Sequence, residues 1–349
     1  MADGAPRLQR VTDYPALLTE AWAQAHAPRE PNAPTVISTF AGCGGSSLGY
    51  HMAGFRELLA VEWEQNAADT FRLNFPHVPL YHGDIAKLSV AECLQRAGIA
   101  PGELDVFDGS PPCQGFSTAG KREIGDQRNQ LFREFVRLLS GLRPRAFVME
   151  NVSGMVKGDF KVIFAEILRT LKACGYRVKV RLLNAMFYGV PQSRERMIFV
   201  GVRDDLGVEP SHPSGWSEPV GFFAATAGVE VDPAEVARLL ECGGRYASYR
   251  DWSSLQQGQS TRFGDHYRIH DAKPVHTLLK SAGNVSAKSV MHSRERRRPT
   301  QAEFKRCGSF PDSFRLVGEW GDGVERIGNS VPPLLMRSIA RHVRTLIAR

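Results

Sequence analysis

The chain has little cysteine and no arrangement of it that holds a metal or builds a disulfide framework. Cys43, Cys93, Cys113, Cys174, Cys242 and Cys307 are scattered without a CxxC pair, which excludes zinc-ribbon and disulfide scaffolds and points to reduced thiols with no metal site. No stretch approaches the ~20 apolar residues of a bilayer crossing. Nor does an apolar run follow basic residues at the start, so export is excluded and a cytoplasmic protein expected. Internal repeats and low-complexity tracts are missing too, which excludes a repeat architecture. What remains is ordinary globular usage, 42% hydrophobic and 23% charged over 349 residues, enough for one large domain plus a smaller one. Lys and Arg number 44 against 37 Asp and Glu, a formal charge of +7, which suits a polyanionic partner without demanding one.

Residues 1–34 close on Ala-Pro-Arg-Glu-Pro-Asn-Ala-Pro, which stops any helix over residues 14–25 before the first strand. The segment reads as an appendage. From Thr35, residues 36–40, 58–62, 106–108, 146–150 and 197–200 read as strands, and 131–142 and 162–174 as helices. That alternation predicts an α/β domain over residues 35–202, a mostly parallel sheet covered by helices. Beyond residue 203, to about His292, Gly, Ser, His and aromatic residues replace the periodicity, the texture of a second, loop-rich domain. The run Arg294-Glu295-Arg296-Arg297-Arg298 is either a solvated face or a phosphate contact. Leu335, Ile339, Val343 and Ile347 have the spacing of a docked amphipathic helix.

The most informative stretch is Gly109-Ser110-Pro111-Pro112-Cys113-Gln114-Gly115-Phe116-Ser117. It follows an apolar strand, and its two prolines forbid a helix from starting. The thiol of Cys113 therefore sits at a strand's carboxyl end, either as a nucleophile or as one more small buried hydrophobe. Upstream, the turn Phe40-Ala41-Gly42-Cys43-Gly44-Gly45 lets backbone approach a ligand closely. Glu62 ends the second strand, where an acid binds ribose hydroxyls, and Trp63 offers an adenine a face unless it packs in the core. Asp84, in Gly83-Asp84-Ile85, is suited to receive an adenine amino group. Glu150 closes the strand from Ala146 on the same edge as Cys113, either to protonate a heterocycle or to serve a helix N-terminus. Arg194 and Arg196, in Gln192-Ser193-Arg194-Glu195-Arg196, share one face of an extended segment, with a surface ion-pair ladder as the alternative.

In this order, the glycine-rich turn, Glu62-Trp63, Pro111-Pro112-Cys113-Gln114, Glu150-Asn151-Val152, Gln192-Ser193-Arg194-Glu195-Arg196 and Gly328-Asn329-Ser330-Val331-Pro332-Pro333 closely resemble the motifs of the DNA (cytosine-5)-methyltransferases. The resemblance spans residues 35–343. It implies a Rossmann-like methyltransferase sheet with helices on both faces (residues 35–202), a smaller target recognition domain (203–306) and a C-terminal segment returning to the sheet (307–349). It implies S-adenosylmethionine as cofactor, held by Phe40, Gly42, Cys43, Gly44, Gly45, Glu62, Trp63, Asp84, Ile85, Pro112, Asn329 and Ser330. Cys113 would add to carbon 6 of a flipped cytosine, Glu150 would hold its ring nitrogen and amine, Arg196 its carbonyl oxygen, and Arg194 would support the active-site loop. Residues 115–133 would close over the site.

Double-stranded DNA is the implied partner, met by Gln114, Ser117, Arg128, Gln192, Arg262, Arg268, Thr277 and Arg297. A cognate restriction endonuclease and a monomeric state go with that reading. Departures lie in the penultimate motif, where Ser309 replaces a usual glycine and Pro299 and Cys307 replace aliphatics; that segment supports the recognition domain rather than the chemistry. The rivals are a tRNA cytosine methyltransferase on the same framework and a catalytically silent DNA-binding relative. A dinucleotide oxidoreductase fits the glycine spacing and the cysteine loop poorly.

Overall fold

The computed structural model describes residues 8–112, 130–152, 160–245, 247–261, 266–284 and 289–348. Its central sheet consists of β1 (Thr35–Thr39), β2 (Arg56–Glu62), β3 (Leu80–His82), β4 (Val106–Gly109), β5 (Ala146–Val152), β6 (Tyr176–Asn184) and β7 (Glu195–Arg203), in the order β3-β2-β1-β4-β5-β7-β6. The order reverses between β1 and β4, and in such sheets ligands bind outside the carboxyl ends of the strands at that point. All neighbours are parallel except those of β7, which runs antiparallel to β5 and β6. Only residues 185–194 separate it from β6, too few for a crossover helix.

Helices α1 (Tyr14–His26), α2 (Gly45–Met52), α3 (Gln65–Asn74), α4 (Val90–Ala97), α5 (Gln130–Leu142) and α6 (Phe160–Ala173) accompany the sheet. With both faces covered, a strand reads as a continuous apolar run. Along β5, Ala146 and Val148 join one core with residues of α1 and α2, while Phe147 and Met149 join the other with residues of α4, α5 and α6. On α5, Phe135, Leu138, Leu139 and Leu142 are fully buried, the i, i+3, i+4, i+7 stripe of a core-facing helix.

α1 belongs to the core, which corrects the reading of an appendage. Asp13 caps it by accepting the Ala16 amide at 2.9 Å, and Tyr14, Leu18, Ala21 and Ala25 are buried. The Tyr14 hydroxyl donates to the carbonyl of Arg306 at 3.0 Å, and Arg29 donates to those of Phe55 and His51 at 3.2 and 2.7 Å.

The loop-rich region carries α7 (Phe222–Thr226), α8 (Pro233–Arg245) and short strands, of which His266–Arg268 pairs with Ser289–Met291. After it come α9 (Gln301–Cys307), α10 (Trp320–Asn329) and α11 (Pro333–Leu346). Leu335, Ile339 and Val343 of α11 are fully buried, as their spacing predicts. Ser309 has φ +60°, a left-handed backbone that explains why glycine is usual there. Its hydroxyl accepts the Leu334 amide at 3.2 Å. No helix among the described residues is long and apolar enough to cross a membrane.

Candidate active site

The turn between β1 and α2 is strained and open on one side. Phe40 and Gly42 hold φ +55° and +56°, and left-handed backbone at a non-glycine residue costs about 1–3 kcal/mol and collects at functional sites. A Cβ built on Gly42 would meet nothing within 4 Å. Glu62, at the carboxyl end of β2, accepts the amide of Gly42 at 2.7 Å and those of Trp63 and Glu64 at 2.9 and 2.8 Å. Its carboxylate thus fastens the turn to the next strand. Trp63 is 76% exposed, so the core-packing reading fails. Asp84 is exposed and accepts the Ala86 amide at 2.9 Å. The Ile85 side chain is buried in the core, so only its backbone can face a ligand.

The α10–α11 junction closes on the same turn. Gly45 lies so near that a Cβ would come within 2.4 Å of the Val331 carbonyl oxygen, which brings exposed Asn329 and part-buried Ser330 alongside. The Ser330 hydroxyl donates to the Arg326 carbonyl at 2.7 Å and lies 3.2 Å from Cys43 Sγ. Burial pushes the Cys43 thiol up to about 11. The sulfur is turned into protein, so the ligand contact expected of Cys43 falls to its backbone.

At the carboxyl edge of β4 and β5, Arg196 Nε lies 2.6 Å from Glu150 Oε1, their side chains 13% and 11% exposed. The antiparallel register sets Arg196 opposite Val152, two residues beyond Glu150, so the guanidinium reaches back along the strand. A bond this short between opposite charges is among the stronger polar contacts in proteins. Asn151, buried beside Glu150, donates to the Pro111 carbonyl at 3.1 Å, which ties β5 to the two prolines before Cys113. Pro111 is buried and Pro112 exposed. Asn151 was absent from the expected site residues, although Glu150-Asn151-Val152 contained it. Cys113, Gln114, Ser117, Arg128 and Arg262 lie outside the described residues, as does the expected closing loop apart from its end in α5.

Several residues expected at DNA serve as internal fasteners instead. Gln192 is buried; it accepts the Leu278 amide at 3.0 Å and donates to the Cys307 carbonyl at 3.4 Å. The Thr277 hydroxyl donates to the Ser193 carbonyl at 2.8 Å. Arg194 donates to the carbonyls of Leu278 and Gly328, both at 3.0 Å, and burial, with Arg196 nearby, brings its guanidinium down to about 9. It fastens residues 278 and 328, while most of the loop it was expected to support lies outside the described residues. Arg268 donates to the carbonyls of Ser293 and Leu255 at 2.8 and 2.6 Å, its guanidinium 4.0 Å from the Trp252 ring centre. Arg297 is 2% exposed and donates to Glu303 at 2.8 and 3.1 Å, so its expected phosphate contact is also corrected. Within the basic run Arg297 and Arg298 are buried, and Glu303, six residues after Arg297, pairs with it, while Arg294 is exposed and pairs with Asp271.

The family model of C-5 cytosine-specific DNA methylases matches residues 34–345. The chain is 35% identical over 329 residues to the Type II methyltransferase M1.HphI of Haemophilus parahaemolyticus, covering 88% of this chain and 86% of that one. It is 30% identical over 355 residues to M.NgoPII of Neisseria gonorrhoeae, covering 93% and 100%. Its fold is similar to that of a DNA modification methyltransferase encoded within an E. coli prophage, with TM-score 0.75, 25% identity, and coverage of 91% of this chain and 100% of that one. A Spodoptera frugiperda DNMT2 mutant shares the fold alone, with TM-score 0.67, 18% identity, and coverage of 89% and 99%. The chain belongs to the C-5 cytosine-specific DNA methylases, enzymes that methylate cytosine in DNA with S-adenosylmethionine as methyl donor.

Proposed function

We propose that this chain methylates carbon 5 of one cytosine, flipped out of a specific short duplex sequence, through a covalent adduct on Cys113. The observation that carries the reading is the Glu150–Arg196 pair at 2.6 Å beside Asn151, whose amide grips the Pro111 carbonyl two residues before Cys113. A donor pair on one sheet edge and a thiol on the next strand's loop suit a pyrimidine lifted out of the duplex. The extrusion costs a few kcal/mol of unstacking, which protein contacts must offset.

The Cys113 thiolate adds to carbon 6, forming a carbon–sulfur bond and sending the ring's electron pair toward carbon 5 and the N3–O2 edge. Glu150 hydrogen-bonds N3 and the exocyclic amine, and Arg196 takes the carbonyl oxygen, so the charge developed by thiol attack is stabilised where it forms. The donor, when bound, would supply its sulfonium methyl to carbon 5 and leave as the neutral thioether. Transfer of the carbon-5 proton to solvent water, with cleavage of the carbon–sulfur bond, then regenerates the Cys113 thiolate and restores aromaticity.

The chain's own residues fit such a donor. The open side of Gly42 leaves room for its backbone to be approached, and exposed Trp63 offers an adenine an aromatic face. Glu62, already fixed by three amides, is positioned for ribose hydroxyls. Phe40, Asp84, Pro112, Asn329 and Ser330 complete the donor site in this reading. Residues 35–202 would form the catalytic domain and 203–306 the recognition domain. A cognate endonuclease sharing the DNA target, a monomeric state and a cytoplasmic location belong to the same proposal.

The test is methyl transfer from labelled donor to duplex DNA and, in parallel, to tRNA, followed by bisulfite sequencing of DNA from a host expressing the chain. Transfer to DNA at one short sequence is expected. Transfer to tRNA alone overturns the substrate assignment, and a Cys113→Ala variant that still methylates overturns the covalent mechanism.

A further inference from the structure

Beneath the donor turn lies a buried polar cluster for which the proposed chemistry has no use. On the side of the sheet covered by α2, Ser38 of β1 is paired in register with Asp108 of β4, and Asp108 is 3% exposed. The Tyr50 hydroxyl of α2 lies 3.2 Å from Asp108 Oδ1, and Ser46 of α2 is near enough to this carboxyl to favour its ionised form. Nearby, Glu57 of β2 accepts the Ser47 hydroxyl at 2.8 Å and pairs with His51 at 3.2 Å. Among the described residues, then, two acids near Asp108 have basic partners: Glu57 has His51 and Glu150 has Arg196. Asp108 has a tyrosine and a serine.

We propose that Asp108 is a positioning residue for methyl transfer, a carboxyl that braces the donor turn, through Tyr50 of α2 with Ser46 beside it, against the strand that delivers Cys113. The placement makes the brace direct. Ser46 is the second residue of α2, immediately after the turn over residues 40–45, and Asp108 stands five residues before Cys113. Thr39 strengthens the same junction, its hydroxyl donating to the Asp108 carbonyl at 3.0 Å. The inference rests on the proposed roles of the turn and of Cys113, since it sets the distance between methyl donor and attacked ring.

Burial favours the neutral form of this acid. An isolated buried carboxylate is costly unless paired, and burial, reinforced by Glu57 and Glu150, holds the Asp108 carboxyl well above its ordinary range despite the hydrogen bond of Tyr50 and the nearness of Ser46. The groups facing it are Ser46 and Tyr50 from α2, Glu57 from β2 with its partner His51, and Glu150 from β5 with its partner Arg196. Ionisation, as pH rises through that raised range, therefore leaves a buried carboxylate without a basic partner and loosens the junction.

The experiment compares Asp108→Leu, Asp108→Asn and Tyr50→Phe with the wild type in steady-state methylation of duplex DNA across pH, with melting curves and donor binding as controls for folding. Misplacing a reacting centre by about 1 Å can cost a hundredfold, so the Leu variant should lose kcat by about tenfold to a hundredfold, with KM for DNA changed by less than about threefold. The Asn variant should recover most of kcat and lack the fall in rate that follows Asp108 ionisation as pH rises. In Tyr50→Phe, removal of a hydrogen bond that favours the ionised carboxyl should move that fall to higher pH and keep the comparison informative should the Leu variant fail to fold. A Leu variant with wild-type kcat, or an Asn variant that keeps the wild-type fall in rate, overturns the brace. A fully active Cys113→Ala overturns instead the mechanism on which it rests.

Discussion

Trp63 gives the most direct test of the donor site, because its ring is 76% exposed and little of the core depends on it. Replacing it with alanine removes a face that an adenine ring would cover. That contact hides about 80 Å² of indole, about 2 kcal/mol at ~25 cal/mol per Å², while measured aromatic pairs contribute about 1 kcal/mol beyond area. The dissociation constant for S-adenosylmethionine should therefore rise about thirty- to one-hundred-and-fiftyfold. Stability should change by less than about 0.5 kcal/mol, as for other exposed positions. Titration calorimetry reads the first quantity and urea unfolding the second. Trp63→Phe keeps an aromatic face and should recover most of the affinity. Unchanged donor affinity in the alanine variant refutes the stacking assignment; a stability loss of several kcal/mol shows that the ring packs against protein.

Two further predictions concern the fasteners. Asn151→Ala releases the Pro111 carbonyl, now held at 3.1 Å, and should lower kcat about tenfold while donor binding stays within about twofold; single-turnover kinetics beside calorimetry check this, and wild-type kcat refutes it. Glu303 accepts two hydrogen bonds from Arg297 and one from the Thr300 amide at 2.7 Å, and pairs with His292 at 3.3 Å. Burial alone would raise its carboxyl, but hydrogen bonds from His292 and Arg297, and their charges, prevail and bring it from the ordinary 4.5 to about 2. Because the folded value lies below the unfolded one, the network's contribution is present above about pH 4.5 and is lost as pH falls toward 2. Glu303→Gln should cost about 3 kcal/mol in urea unfolding at neutral pH and flatten the acid dependence; wild-type stability refutes it.

Motif order carried most of the site because its parts sit where strand ends must bring them. An acid near the end of β2 and one near the end of β5 emerge on the same sheet edge once the strands are parallel, so the placement of Glu62 and Glu150 was legible from their positions alone. Asn151 was within reach, its neighbour having been chosen, but its bond to Pro111 joins residues 40 apart. Asp108 gave no signal. An acid ending an apolar strand looks solvent-facing until α2 is laid over it. Gln192 and Arg297 were expected to be exposed because they are polar, yet both are buried, and their partners Leu278, Cys307 and Glu303 lie on other segments.

What the sequence by itself determined is the chemistry available at one sheet edge: the strand alternation, the prolines before Cys113, the glycine turn and the acids that end the strands are local properties of the chain. Tertiary structure alone decided which polar groups face a ligand and which fasten the protein to itself. Exposure and pairing depend on contacts between distant segments, such as Arg194 with Leu278 and Gly328 or Tyr50 with Asp108. A residue type records what a side chain can bond, and only packing selects among its possible partners.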